Sequence, residues 1–182
     1  MDQIHKLENT WVLFLQYKNL SHNYKGNVEK LLEIDTVQDF WRTFNNIPSI
    51  ENTFSNGTGT KIMKRNGATP SSYSFFRKDI EPFWEDVENI NGFEFSFRLS
   101  ENVNKIWLHC LIELISERDD FYDFINGIRI VDSTKGRSVL YRLEFWFKTI
   151  EVKDIAEKII KKNFSLENFN FSCRLHQNLK EK

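Results

Sequence analysis

The sequence predicts an α+β fold, a curved antiparallel sheet with about three helices packed on its convex face. Two observations carry this. Segments of β-branched and aromatic residues, several alternating apolar with polar, recur along the chain, and between them lie segments whose apolar residues repeat at helical spacing. A third observation fixes the direction of pairing: short turns such as Asn91-Gly92 and Lys135-Gly136-Arg137 join strands as antiparallel hairpins.

In chain order, WVLFLQY (Trp11 to Tyr17) reads as the first strand. Thr36 to Asn46 reads as a helix, its start marked by Thr36 as cap with Asp39 three residues on. The stretch SIENTFSNGTGTKIMKRNGATPSS, Ser49 to Ser72, is rich in Ser, Asn, Thr and Gly and has no apolar period, so a long flexible loop is expected there. Within it GTGTK (Gly57 to Lys61) has the glycines of a phosphate-binding loop but neither the G-x-x-x-x-G-K-[ST] spacing nor a preceding strand. FEFSFRL (Phe93 to Leu99) is a strand, and Ser100 to Glu117 is a helix carrying Val103, Ile106, Trp107, Cys110, Leu111 and Leu114 on its apolar side. GIRIVD (Gly127 to Asp132) and VLYRLEFWF (Val139 to Phe147) are strands, Val152 to Lys162 a helix, and FNFSCRL (Phe169 to Leu175) the last strand. No linker or internal repeat divides the chain, which reads as one domain over residues 1–182.

Composition narrows the function classes. Aromatic residues make up 15% of the chain, 17 Phe and 5 Trp among them, while charged residues at 28% balance to a net charge of −1. That balance argues against a protein held to nucleic acid mainly by neutralising phosphates. Only Cys110 and Cys173 occur, which excludes a disulfide framework or a C-x-x-C motif and fits a reducing compartment. Met1-Asp2-Gln3 lacks the basic start of a signal peptide, and the apolar run Trp11 to Leu15 is too short to span a membrane. A soluble cytoplasmic protein is expected, with the nucleus as a second compartment. Histidines 5, 22, 109 and 176 pair with no nucleophile in sequence. No catalytic residue, metal site or cofactor is expected. Mg²⁺ held by Glu85, Asp86 and Glu88 for pyrophosphate hydrolysis is the enzyme alternative, but their spacing matches no metal motif and a solvated turn accounts for them.

The aromatics and acids of two loops point elsewhere. IEPFWEDVEN (Ile80 to Asn89) puts Trp84 beside Glu85, and LSHNYKGN (Leu20 to Asn27) carries Tyr24. Alone, each is ordinary: Trp84 as half-buried packing, Glu85 and Asp86 as a solvated turn, Tyr24 as a loop residue. Together they form a slot for a flat ligand. An aromatic on each of two loops can sandwich a ring, each stack contributing roughly 0.5 to 1.5 kcal/mol, and more if the ring is cationic. A carboxylate next to one of them can accept two hydrogen bonds from the ring's edge. Guanine offers that edge in N1–H and its N2 amino group, and methylation at N7 adds a positive charge that favours the π-faces and the carboxylate alike.

These residues sit in segments that resemble the eukaryotic translation initiation factor 4E family, which binds the 7-methylguanosine cap at the 5′ end of mRNA. HKLENTWVLF (His5 to Phe14) is similar to the family's opening H-P-L-x-x-x-W, with Lys6 where proline is usual. DTVQDFW (Asp35 to Trp41) resembles its V-E-D-F-W helix, IEPFWED (Ile80 to Asp86) its I-x-P-M-W-E-D loop, IWLHCLIELISE (Ile106 to Glu117) its second helix and CRLHQN (Cys173 to Asn178) its final strand. The likeness runs from about His5 to the C-terminus.

The resemblance implies that Trp84 and Tyr24 stack on the cap and that Glu85 reads the guanine edge. Tyr24 stands where the main class has tryptophan. Trp146, in EFWFKT, is implied to pack near the N7 methyl, although on an aromatic strand it also reads as core. The family's arginine before the aromatic of the central strand falls on Glu94 here, which would repel a triphosphate. Arg142 aligns with a second basic position, and Lys135 and Arg137 at the turn are looser candidates for the phosphates, with solvated hairpin charges as the plain alternative.

The partner surface implied by the family is a helix-in-groove site for an amphipathic peptide of the scaffold initiation factor or of its competing repressors. Here it comprises Val37, Trp41, Leu108 and Ile112, with His5 and Leu7 nearby and His109 where the family carries an acid. The expected protein is a monomer that binds capped mRNA and recruits a scaffold. The alternatives are a repressor homologue, with or without cap binding, that acts through the peptide groove, and a nucleotide or cap pyrophosphohydrolase.

Overall fold

Successive side chains of a strand point to opposite faces of a sheet, and in this chain the alternation separates two chemistries. The computed structural model describes residues 3–18, 24–55, 67–135 and 138–177. Strands β1 (Lys6–Lys18), β2 (Val28–Thr36), β3 (Thr69–Arg77), β4 (Phe93–Leu99), β5 (Ile125–Asp132), β6 (Tyr141–Phe147) and β7 (Ser172–Leu175) form one seven-stranded sheet in the order β2-β1-β3-β5-β6-β4-β7. Every pairing is antiparallel. On one face Trp11, Leu13, Phe75, Phe95, Ile128, Phe145 and Phe147 are buried under the helices α1 (Val37–Phe44), α2 (Ile50–Phe54), α3 (Val103–Ser116) and α4 (Lys153–Asn163), which contribute Phe40, Phe54, Trp107, Leu111, Leu114, Ala156 and Ile160 to the same core. Aromatic pairs knit the core, with Trp11 on Phe75 (5.2 Å between centroids) and Phe93 on Phe147 (4.6 Å) stacked nearly parallel.

The opposite face is a polar sheet with one aromatic island. Gln16, Ser72 and Arg129 are linked there, the Ser72 hydroxyl donating to Gln16 Oε1 at 3.0 Å and Arg129 Nε donating to Ser72 Oγ at 3.2 Å. Phe76, Ile80 and Trp146 form a second buried cluster, with Phe14 and Trp84 packed against it. Gly127 makes room for this island: a Cβ there would stand 2.5 Å from the Phe76 ring.

The α+β architecture follows the sequence reading, and Phe93–Leu99 carries the strand bounds expected for it. Thr36 caps α1 as expected, its hydroxyl accepting from the Asp39 N–H at 3.0 Å and donating to the Asp39 carboxylate at 2.7 Å. Three expectations need correction. The stretch Ser49 to Ser72 is not one loop: Ile50–Phe54 is helical with Ser49 as cap, Thr69 opens β3, and residues 56–66, including GTGTK, lie outside the described residues. The Ser71, Ser72 and Ser74 side chains that disguised β3 are buried in a central strand, two of them bonded to Gln16. The last strand is shorter than expected, because Phe169 and Phe171 turn away to pack on Phe97 (4.5 and 4.9 Å), leaving Ser172–Leu175 to pair with β4. Asn91-Gly92 makes a turn but no hairpin, since β3 and β4 are separated by β5 and β6. The β5–β6 hairpin is present, closed by a Lys135–Ser138 bridge, with Gly136 and Arg137 outside the described residues.

Candidate functional site

The island on the open face is built by β6 and by the loop between β3 and β4. In YRLEFWF the residues at i, i+2 and i+4, Arg142, Glu144 and Trp146, share the polar face while Leu143, Phe145 and Phe147 enter the core. Trp146 is 3% exposed. Its indole N–H donates to Glu144 Oε2 at 2.9 Å, and its ring meets Phe76 edge-on at 5.4 Å and His176 at 4.6 Å. Glu144 also accepts from Arg142 Nε at 2.8 Å, so one buried carboxylate fixes both an aromatic floor and a cation. His176 Nδ1–H donates to the Asn89 carbonyl at 2.6 Å, and burial pushes its imidazole below its usual pKa.

The loop that carries Trp84 is braced from within. Asp86 accepts backbone N–H bonds from Glu81 (3.0 Å) and Glu88 (2.9 Å). The Asn89 amide donates to the carbonyls of Glu81 and Phe83, both at 2.9 Å, and Asn126 of β5 donates to the Glu88 carbonyl and to Asn89 Oδ1. Trp84 is thereby held half-buried against the Phe76–Trp146 cluster. Glu85 is exposed, and its carboxylate has no partner among the described residues. The two neighbouring acids thus differ in kind: Asp86 serves the loop and Glu85 is free for a ligand.

Tyr24 opens a short 3₁₀ helix, Tyr24–Asn27, and its side chain lies outside the described residues. The segment nonetheless adjoins the Trp84 loop, because the Lys25 ammonium stands 5.4 Å from the Phe83 ring centroid. Lys135 is exposed at the hairpin and makes no ion pair among the described residues, and Arg137 lies outside them. Glu94 is on the same face as Trp146, its register partner, and is only 3% exposed. Burial first, and the Glu144 carboxylate second, push its carboxyl up to about 7, against the pull of Arg174, which lies at 3.7 Å. Glu94, expected to repel a triphosphate, is a buried acid that is partly neutral near pH 7.

On the helical side, the expected partner residues cluster around α1 and α3. Val37 N–H donates to the His5 carbonyl at 2.9 Å and Gln38 Oε1 accepts from the His5 N–H at 3.1 Å, which ties the start of β1 to α1. Leu7, Leu108 and Ile112 are half-buried against the core, Val37 and His109 are half-buried, and Trp41 is 40% exposed with its ring edge-on to Phe40 at 5.3 Å. A groove of about 170 Å³ lies between the α1–α2 connection and α3, lined by Phe44, Ile47, Trp107 and Leu108 among others, and of the expected partner residues Leu108 alone borders it.

Sequence reasoning missed Phe76, Glu144, His176, Arg98 and Arg174. Glu144 was findable from the period-two pattern that puts it between Arg142 and Trp146. Phe76 lay in a strand that was not recognised. The polar face also carries a cavity of about 530 Å³ bounded by Arg98, Arg142 and Arg174. Among the described residues no three His, Cys, Asp or Glu side chains gather as a metal site, and no helix is long and apolar enough to cross a membrane.

Comparison with known proteins gives a consistent family. Residues 6–180 match the family model described as eukaryotic initiation factor 4E. The chain is 30% identical over 156 residues to eukaryotic translation initiation factor 4E-1A of Danio rerio, covering 82% of this chain and 64% of that protein. It is 28% identical over 141 residues to eukaryotic translation initiation factor 4E of Homo sapiens, covering 74% and 58%. The chain therefore spans less than two thirds of the length of these relatives. Among solved structures, the C. elegans eIF4E-3 complex with the 4E-binding protein Mextli and a cap analog superposes with a TM-score of 0.77 at 22% identity, over 99% of this chain and 97% of that one. Ascaris suum eIF4E-3 with m7G cap superposes at 0.75 and 20% identity, over 96% and 92%.

Proposed function

The chain belongs to the eukaryotic initiation factor 4E family, and from that premise we propose that it binds the 7-methylguanosine cap of mRNA and recruits a scaffold initiation factor or a repressor. Trp84 and Tyr24 stack on the two faces of the methylated base, Trp146 packs near the N7 methyl, and Glu85 accepts from N1–H and the N2 amino group. Arg142 and Lys135 face the phosphates, and Arg137 is a further basic candidate for them. An amphipathic helix of the partner docks across Val37, Trp41, Leu108 and Ile112, with His5, Leu7 and His109 at its margin. The protein acts without a catalytic step, as a monomer and one cap-binding domain in the cytoplasm.

One observation carries the reading. A carboxylate with no partner among the described residues, Glu85, stands beside a tryptophan packed against the buried Phe76–Ile80–Trp146 cluster, while the adjoining Asp86 is consumed by the loop. A cationic base brought there gains π-face attraction and charge-assisted hydrogen bonds together. The relatives support the same use of the fold, since the C. elegans protein is seen with Mextli and a cap analog and the Ascaris protein with m7G cap. Retention on immobilised 7-methyl-GTP, released by free 7-methyl-GTP and not by the same concentration of GTP, is the expected outcome. Passage through the resin would refute the reading.

A further inference from the structure

Register in the sheet sets two arginines side by side. Arg98 of β4 and Arg142 of β6 are Cα partners, so their side chains leave the same face directly opposite one another. Like charges in that position destabilise a sheet unless an anion joins them. Arg142 has Glu144 as a partner, but Arg98 is exposed and pairs with no carboxylate among the described residues. Arg174 of β7 adds a third cation, drawn toward Glu94 at 3.7 Å. The three bound one cavity of about 530 Å³ at the β4–β7 edge, with Ser96, Ser172 and Asn170 as neutral donors and no acidic side chain in its lining.

We propose that this cavity binds backbone phosphates of the RNA immediately downstream of the cap. The inference rests on the cap reading above and extends it. The base slot at Trp84 and Trp146 and the Arg98–Arg142 pair lie at opposite ends of the same strands, since Trp146 pairs with Glu94 and Arg142 with Arg98. A chain that leaves the slot along β6 reaches Arg142 and Arg98, while Arg174, the register partner of Glu94 on β7, borders the same cavity from beside the slot. Guanidinium forks suit phosphate oxygens, and serine hydroxyls and asparagine amides complete a sequence-independent grip. Three arginines on a chain whose net charge is −1 amount to a local anion site rather than a general nucleic-acid surface.

Phosphate could also come from the cap's own triphosphate, so the test separates the two sources. The unaltered protein and its Arg98→Gln and Arg174→Gln variants are titrated with 7-methyl-GMP, 7-methyl-GTP and a capped pentanucleotide RNA. The unaltered protein is expected to bind the capped RNA at least about threefold more tightly than 7-methyl-GTP at low salt, an advantage that shrinks as salt rises. Arg98→Gln should abolish that advantage and leave 7-methyl-GMP affinity within about twofold. Arg174→Gln, on a separate strand, should reduce the same advantage. No gain from the RNA, a gain that survives both substitutions, or a loss confined to the step from 7-methyl-GMP to 7-methyl-GTP would each overturn the proposal while leaving cap binding intact. Failure of the unaltered protein to bind 7-methyl-GTP at all would remove the cap reading, and this inference with it.

Discussion

Glu85 and Asp86 are adjacent carboxylates with opposite employment, and substitution should tell them apart. Glu85→Ala should weaken cap binding by about 2 to 5 kcal/mol, because two charge-assisted hydrogen bonds in a stacked slot would be lost. Asp86→Ala should cost much less affinity and instead lower the melting temperature, since it frees the Glu81 and Glu88 N–H groups. Equal affinity losses would show that the edge-reading carboxylate is misassigned. Glu94 makes a second residue-level test. Its carboxyl is raised from 4.5 to about 7, so between those pH values the fold holds a proton that the unfolded chain has released. The stabilisation is complete below about 4.5 and is lost as pH rises through about 7, amounting to roughly 3 kcal/mol at most. Glu94→Gln should therefore melt above the parent protein at pH 8 and match it near pH 4.5; a constant difference across that range would rule out Glu94 as the titrating group. The juxtaposition of Trp84 and Glu85 was legible because both stand in one short segment, whereas Glu94 and Glu144 owe their character to neighbours on other strands.

At the level of elements, legibility followed burial pattern. β4 and β6 bury one face against the helices and alternate apolar with polar, so both strands could be read, β4 with its bounds and β6 two residues too early at its start. β2 is an edge strand whose Glu29, Lys30 and Glu33 are exposed, and nothing in its sequence alternates strongly enough to announce it. β3 hid behind serines that look like turn residues until Gln16 supplies their partners. Of the helices, α1 was legible from its cap and α3 from its apolar period, whereas the short α2 was taken for loop; α1 yields a prediction of its own. Trp41 is large, apolar and 40% exposed on a two-turn helix whose core contacts are made by Phe40. A peptide of the Tyr-x-x-x-x-Leu-hydrophobic pattern should lose at least about 2 kcal/mol of affinity for Trp41→Ala, with cap-resin retention and cooperative melting unchanged. Unfolding of that variant would make Trp41 structural, and undiminished peptide binding would move the partner surface elsewhere.

Across the whole molecule, the sheet keeps the two proposed recognition surfaces apart. Its helical face holds a continuous core and presents α1 and α3 outward, while its open face carries the polar network and the aromatic island. Substitutions on opposite faces share no partner, so their effects on cap and peptide affinity should add. On the proposed reading, a chain of net charge −1 would prefer a cationic base through π-faces and the Glu85 carboxylate rather than through its overall field. Calorimetric titration of one preparation with 7-methyl-GTP and then with GTP tests that slot most directly. Binding of 7-methyl-GTP at least about tenfold tighter, roughly 1.4 kcal/mol, is predicted, and equal affinity for the two nucleotides would contradict a cation-selective slot built from Trp84, Tyr24 and Glu85.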